Sequence, residues 1–366
     1  MALALASGTS IGGFEVLDVI GRGGFGITYK AIEQRSSKTY AIKEYLPDGM
    51  SARAPNGLVS ALKGLETTYA RGLGAFMTEA NILKELPRRK GLVRVRGAFE
   101  KFGTAYCVME FIEGDSLDRM SRRMIERYNN MPAELITDLT LSMCWALDAL
   151  HTENLIHRDV KPANIMLRRN GEPVLIDFGA ARRLSRRGTK ETIFTRKYAA
   201  IEQFPPEMSG FGRNFEEGPW SDIYSLSVVL YELIAKTSPP DATVRAAALL
   251  EGQQDPYVPL ERVVQNQNTA GIYPPSLLAT IDAGCALMPK ERIRGATELA
   301  EQIAPGWWNK NQNEVDDAHT TMTDSTEIGS PRGASLGWIV WLGILAVCAT
   351  VLLFWAYQTF FYEEVF

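Results

Sequence analysis

From residue 14 to about 110, apolar and polar positions alternate in short runs. "FEVLDVIG" (14–21), "ITYKAIEQ" (27–34), "TYAIKEYL" (39–46) and "AYCVMEFI" (105–112) carry the period of two, or the unbroken apolar run, of a strand. One stretch among them, "FMTEANILKEL" (76–86), repeats its apolar positions every three to four residues and predicts a helix. From about 116 to 303 the helical period dominates, in "LITDLTLSMCWALDALH" (135–151) and "SDIYSLSVVLYELIA" (221–235). The pattern predicts an α+β chain with a small strand-rich lobe before a larger helical one. Residues 46–76, "LPDGMSARAPNGLVSALKGLETTYARGLGAF", contain Gly and Pro and predict a surface excursion, either a tolerated loop or a dock for a regulator.

The end of the chain follows another rule. Residues 309–332 are polar and rich in Thr, Ser and Asp, the composition of a flexible tether. From Gly333 to Tyr362 there are 30 residues without a charge. Within them Leu336–Tyr357, 22 residues, would make a helix of roughly 33 Å, enough for a hydrocarbon core of about 30 Å. Trp338, Trp341, Trp355 and Tyr357 lie toward its ends, as interfacial aromatics do. The expected organisation is a folded domain over 14–303, a linker over 304–335, a transmembrane helix over 336–357 and a tail over 358–366. A net charge of −4 offers no electrostatic footing for nucleic acid. Cys107, Cys144, Cys285 and Cys348 stand far apart among apolar neighbours, which predicts buried thiols in a reducing compartment and no zinc or disulfide framework. The opening "MALALASGTSIGG" has no basic leader and makes a poor secretion signal.

Several clusters carry chemistry. Gly21, Gly23 and Gly26 have the G-x-G-x-x-G spacing that lets a backbone approach phosphate oxygens. Dinucleotide folds share that spacing but continue into a helix. Here the β-branched "ITYKAIEQ" follows, favouring a strand–loop–strand lid. Lys43 sits in an apolar strand, where an ammonium needs partners. Phosphates and a carboxylate would serve, and Glu79 is either that carboxylate or an exposed helix residue. In "LIHRDVKPANIML" (155–167), aliphatic flanks anchor five polar residues. There Asp159 could accept a proton from a hydroxyl, Lys161 could neutralise a transferring phosphoryl group, and Asn164 could offer oxygen to a hard cation. Asp177, in "VLIDFGAARR", would complete a magnesium site of few protein ligands plus phosphates.

Together the glycine-rich loop, Ala41-Ile42-Lys43, His157-Arg158-Asp159 with Lys161 and Asn164, and Asp177-Phe178-Gly179 resemble the eukaryotic-type serine/threonine protein kinases, in bacterial style. The resemblance covers roughly 14–303. It implies a bilobal kinase fold, with an N-lobe over about 14–112 and a C-lobe over about 113–303. It implies transfer of the γ-phosphoryl group of ATP to Ser or Thr hydroxyls of protein substrates, and of the chain itself, with Mg2+ or alternatively Mn2+. By this likeness Asp159, Lys161, Lys43 and Glu79 are catalytic, and Asn164 and Asp177 hold the metal. ATP would lie against Ile20, Gly21, Arg22, Gly23, Gly24, Phe25, Gly26, Ile27, Thr28 and Lys43. Met109 would guard the adenine pocket, with Glu110 to Ile112 as hinge. Leu83, Val95, His157 and Phe178 would stack as an apolar spine. Asp222 would brace the catalytic loop, Glu202 would pair with Arg292, and Thr195 would bond Asp159 and Lys161 to shape a site for short hydroxyl side chains.

The pattern also departs from the family. Ala200-Ile201-Glu202 stands for the usual Ala-Pro-Glu, and Ser227 replaces the usual Gly of the buried helix. Arg158 and the basic run Arg182, Arg183, Arg186, Arg187 and Lys190 form a cluster that predicts either a phosphate on Thr189 or Thr192 or a surface welcoming acidic substrates. The expectation is a single-pass protein of a bacterial inner membrane, with its kinase domain cytoplasmic and bilayer contact through the C-terminal helix. Self-association would permit phosphorylation in trans. The rival reading is a nucleotide-responsive scaffold without catalysis.

Overall fold

The computed structural model describes residues 4–86, 89–178, 182–183 (backbone only), 194–212 and 214–310. Thr189, Thr192 and the 336–357 segment lie outside the described residues, and so do Cys348 and Gly179. Among the described residues no helix is long and apolar enough to cross a membrane.

The first lobe is built on strands β1 (Ser10–Ile11), β2 (Phe14–Gly23), β3 (Gly26–Glu33) and β4 (Thr39–Tyr45). After a short hairpin, β5 (Ser51–Arg53) and β6 (Val59–Ala61), come helix α1 (Glu66–Glu85), β7 (Val95–Lys101) and β8 (Thr104–Glu110). Six strands form one antiparallel sheet in the order β1-β2-β3-β4-β8-β7. Because successive side chains face opposite sides, Ile27, Tyr29, Ile42 and Glu44 share the outer face, whereas Thr28 and Lys43, paired in register, share the inner one.

Residues 46–76 lie largely at the surface but are not a plain loop, since they form a short hairpin and the first half of α1. They fold over the outer face of the sheet, where Leu46, Val59 and Tyr69 join Leu5, Ile11, Val16, Ile27 and Tyr29 in a core. Helix α1 also begins ten residues before the apolar stretch 76–86, at Glu66. Gly72 hid this half of the helix, because in a sequence it reads as a breaker. In the fold its missing side chain makes room for the Tyr45 hydroxyl, with which a Cβ would collide.

The second lobe contains β9 (Gly114–Ser116), α2 (Leu117–Tyr128), α3 (Ala133–Thr152), β10 (Leu155–Ile156), β11 (Ile165–Arg168) and β12 (Pro173–Leu175). Helices α4 (Pro206–Ser209), α5 (Pro219–Ala235), α6 (Ala242–Leu250), α7 (Leu260–Asn266), α8 (Pro275–Gly284) and α9 (Ala296–Ile303) follow. Helix α5 is buried on every side, including its Ser221, Asp222, Ser225 and Ser227. Ser225 donates to the Tyr198 carbonyl at 2.8 Å and Ser221 to Glu202 at 2.8 Å, so these polar groups tie α5 to the segment before it. Ser227, the departure noted above, is accommodated by Gly284 of α8, where a Cβ would collide with its Oγ. Ile201, in place of the usual proline, is fully buried in the core. Cys107, Cys144 and Cys285 are buried free thiols, and burial pushes Cys107 and Cys285 up to about 12.

Candidate active site

The tip of the β2–β3 hairpin, Gly24–Phe25, connects the strands bearing the spaced glycines. Gly26 lies against β4 so closely that a Cβ would collide with the Glu44 carbonyl oxygen. Ile20 and Phe25 are exposed at this edge. Ile27, expected beside a nucleotide, turns instead into the outer core, away from the face of Lys43.

Lys43 projects from the inner face and forms an ion pair with Asp177 of the other lobe. Its expected partner Glu79 comes close without making an ion pair: Glu79, Lys43, Met109, Leu83, Val95 and Phe178 line one cavity of about 20 Å³. Burial lowers the Lys43 ammonium's affinity for its proton, but the charges of Asp177 and then Glu79 outweigh it and hold the pKa above the usual value. Burial drives Glu79 the opposite way, well above the usual carboxylate range, with Lys43 only partly offsetting it. The spine residues do meet. Phe178 packs with Leu83 and Val95, and its ring centroid lies 5.2 Å from that of His157. At the hinge Met109 is buried, while the Glu110 carboxylate accepts from the Arg94 N–H at 3.0 Å and pairs with Arg168 at 3.0 Å.

The catalytic-loop candidates hang between β10 and β11. Asp222, fully buried in α5, accepts from the backbone N–H groups of His157 and Arg158, each at 2.8 Å, and contacts His151 at 2.9 Å. Gln203 donates to the Arg158 carbonyl at 2.8 Å. These bonds hold Arg158 at φ 68°, a conformation that costs a non-glycine residue on the order of 1–3 kcal/mol. Asp177 also has a positive φ, 64°. Of the eight non-glycine residues with positive φ among the described residues, these two fall where chemistry is expected.

Around Asp159 the polar atoms close into a network. Oδ1 accepts from the Thr195 hydroxyl at 2.7 Å and the Thr195 N–H at 3.0 Å. Oδ2 accepts from Lys161 at 2.7 Å and from Asn164 Nδ2 at 3.0 Å. Lys161 also donates to the Thr195 hydroxyl at 2.7 Å. Pairing of Ile165 with Leu175 brings the ends of β11 and β12 together, and the Ile176 N–H donates to the Asn164 carbonyl at 2.8 Å. Asp177 therefore follows beside Asn164. Asn164 spends its Nδ2 on the Asp159 carbonyl and carboxylate, which leaves its amide oxygen as a hard donor. Among the described residues no three His, Cys, Asp or Glu side chains cluster for a metal. The donor set, one amide oxygen and one carboxylate, suits a hard divalent ion completed by phosphates and water.

Two partners escaped the sequence reading. Gln203 is one. Glu217 is the other: its carboxylate lies 2.7 Å from Arg158 Nε, with side chains 6 % and 5 % exposed. Arg158 thus has a buried counter-ion and does not belong to an uncompensated basic cluster. No period or motif marks Glu217, because only the fold brings it 59 positions back along the chain.

His157 gives the site a pH dependence. Its Nε2 donates to the Ile176 carbonyl at 3.2 Å and its Nδ1 accepts from the Asp159 N–H at 3.3 Å, the arrangement of a neutral imidazole. Burial depresses its pKa below 6.5 despite the nearby Asp222, Asp159 and Asp177. As pH falls through about 6.5, the unfolded chain takes up a proton that the folded chain refuses, so stability drops. Urea denaturation at about pH 7.5 and about pH 5.5 should show that loss, with a flatter response in His157→Phe. An equal slope in both proteins would refute this assignment.

A family model described as a protein kinase domain matches residues 14–302. The chain belongs to the protein kinase family. It is 30 % identical over 68 % of its length to the mouse serine/threonine-protein kinase Nek3, and 29 % identical over 80 % to the serine/threonine-protein kinase PknD of Mycobacterium tuberculosis. These alignments cover 42 % and 39 % of those proteins, so the chain spans about two fifths of the length of each. A solved structure described as the PpkA-294 apo form superposes with a TM-score of 0.67 at 32 % identity, over 82 % of this chain and 99 % of that one. The bilobal kinase fold, with a β-rich first lobe and a helical second lobe, is therefore shared with these relatives.

Proposed function

We propose that this kinase transfers the γ-phosphoryl group of ATP to serine or threonine hydroxyls of protein substrates. The observation that carries the reading is the closed network of Asp159, Lys161 and Thr195, three polar side chains at 2.7 Å from one another. These bonds fix the Asp159 carboxylate beside Lys161, an arrangement suited to a small aliphatic hydroxyl. Asp159 orients that hydroxyl and takes its proton as the new O–P bond forms and the bond to the β-phosphate breaks, releasing ADP. Lys161 neutralises charge on the phosphoryl oxygens in flight. Lys43 clamps the α- and β-phosphates once ATP draws it away from Asp177. Asp177 and Asn164 would hold magnesium, which when bound would supply charge neutralisation to the phosphates.

The charge-free segment 336–357 supports a membrane anchor that leaves the kinase domain in the cytoplasm, where ATP is available. The basic run from Arg182 to Lys190 supports activation by a phosphate on Thr189 or Thr192, placed by a second copy of the chain. One experiment tests the reading. The full-length chain is given labelled ATP and a generic basic protein, its own label is mapped, and cell membranes are washed at high pH. Label should enter both proteins, map to Thr189 or Thr192, and stay with the membrane pellet. Lys43→Met should transfer none. A wild type as inert as Lys43→Met would overturn the activity and favour a scaffold.

A further inference from the structure

The turn that leads from β4 into the β5–β6 hairpin touches the glycine-rich loop directly. Beyond the last pair of the β3–β4 ladder, Gly26 with Tyr45, two more backbone bonds continue toward the tip of the loop. The Leu46 N–H donates to the Phe25 carbonyl at 3.0 Å, and the Asp48 N–H donates to the Gly24 carbonyl at 2.8 Å. Pro47, which lies between the two donors, accepts from the N–H groups of Met50 and Ser51 at 3.3 Å, the Leu62 N–H donates to the Met50 carbonyl at 2.8 Å, and β5 pairs with β6, so the turn runs directly into the hairpin. Arg53 of β5 then reaches the sheet. Its guanidinium pairs with Glu44, with side chains 4 % and 0 % exposed, and also donates to the Gly57 carbonyl at 2.8 Å. Tyr29 donates to the same Glu44 carboxylate at 2.8 Å, and its hydroxyl in turn accepts from the Leu5 N–H at 3.1 Å.

Glu44 adjoins Lys43 on β4, and the alternation of the strand puts the two on opposite faces. The ion pair on the outer face therefore fixes the strand that carries the inner-face lysine. A glycine-rich tip loses much conformational freedom when it closes on a ligand, and holding it beforehand lowers that cost. We propose that the hairpin over residues 46–62 is a built-in brace of the glycine-rich loop. Arg53, Glu44 and the Asp48 N–H are its positioning groups, and they preset the loop and Lys43 for the phosphates of the nucleotide. The inference rests on the nucleotide site described above and adds to it a determinant outside the kinase signature motifs.

A brace for phosphates differs measurably from a merely stabilising contact. Adenosine lacks phosphates and depends on the hinge, whereas ATP depends on both regions. Binding of each to the full-length chain is measured by calorimetry for the wild type, Arg53→Met and Asp48→Pro. Asp48→Pro removes one N–H on an exposed residue and leaves the core alone, so it carries the test if Arg53→Met fails to fold. Each folded variant should bind ATP with magnesium about tenfold more weakly while adenosine affinity stays within about twofold. Unchanged ATP affinity in a folded variant, or equal losses for ATP and adenosine, would overturn the brace. A wild type that binds neither would overturn the nucleotide site itself, and the brace with it.

Discussion

Asp159→Asn is expected to lower kcat by about 10²–10⁴-fold, with the KM for ATP little changed. The substitution keeps the size of the side chain, and an amide oxygen can still accept from the Thr195 hydroxyl. It removes the negative charge that receives the substrate proton and balances Lys161, whose Nζ lies 2.7 Å away. The loss should therefore fall on the chemical step and largely spare nucleotide binding, in which Asp159 itself takes no part. Steady-state transfer of labelled phosphate, with ATP and acceptor varied separately, distinguishes the two. A variant that kept wild-type kcat would remove Asp159 from the reaction.

Arg292→Met is expected to destabilise the fold by about 3–5 kcal/mol, the cost of leaving one member of a buried ion pair uncompensated. Both side chains are fully buried, with Arg292 Nη1 2.6 Å from Glu202 Oε1. The guanidinium also donates to the carbonyls of Ala286, Trp220 and Leu287 at 2.9–3.0 Å and lies over the Tyr224 ring. Methionine fills similar volume but satisfies none of these acceptors. Urea denaturation should show a large drop in midpoint. A second substitution, Glu202→Met in the same chain, should recover part of it, because an apolar pair leaves no buried carboxylate. A loss below about 1 kcal/mol, the range of exposed pairs, would show the lock to be dispensable.

Glu202–Arg292 illustrates what can be read before folding. Its two members lie 90 positions apart, yet both fall within motifs whose residue order is distinctive. The same holds for Asp159, Lys161, Asn164 and Asp177, because transfer chemistry demands particular side chains at short, fixed spacings. Strands β2, β3, β4 and β8 and helices α3 and α5 were legible because their apolar period is long and unbroken. Strands β5 and β6 were not, since three residues each are too few for a period to emerge. Tertiary contact decided the rest of 46–76: Gly72 continues α1 because the Tyr45 hydroxyl needs its space.

By itself the sequence determined the α+β class and the order of the strand-rich and helical lobes, and it named the groups proposed to react, all of which depend on local spacing and residue chemistry. It also carries the charge-free apolar segment on which the proposed membrane anchor rests. Only the tertiary structure decided several other pairings. Lys43 meets Asp177 and not Glu79, Arg158 is neutralised by Glu217, Ile27 turns to the outer core, and Arg53 crosses to Glu44. Electrostatic partners and strand faces depend on distance in space, and burial makes each choice costly to reverse. A one-dimensional pattern records neither distance nor burial.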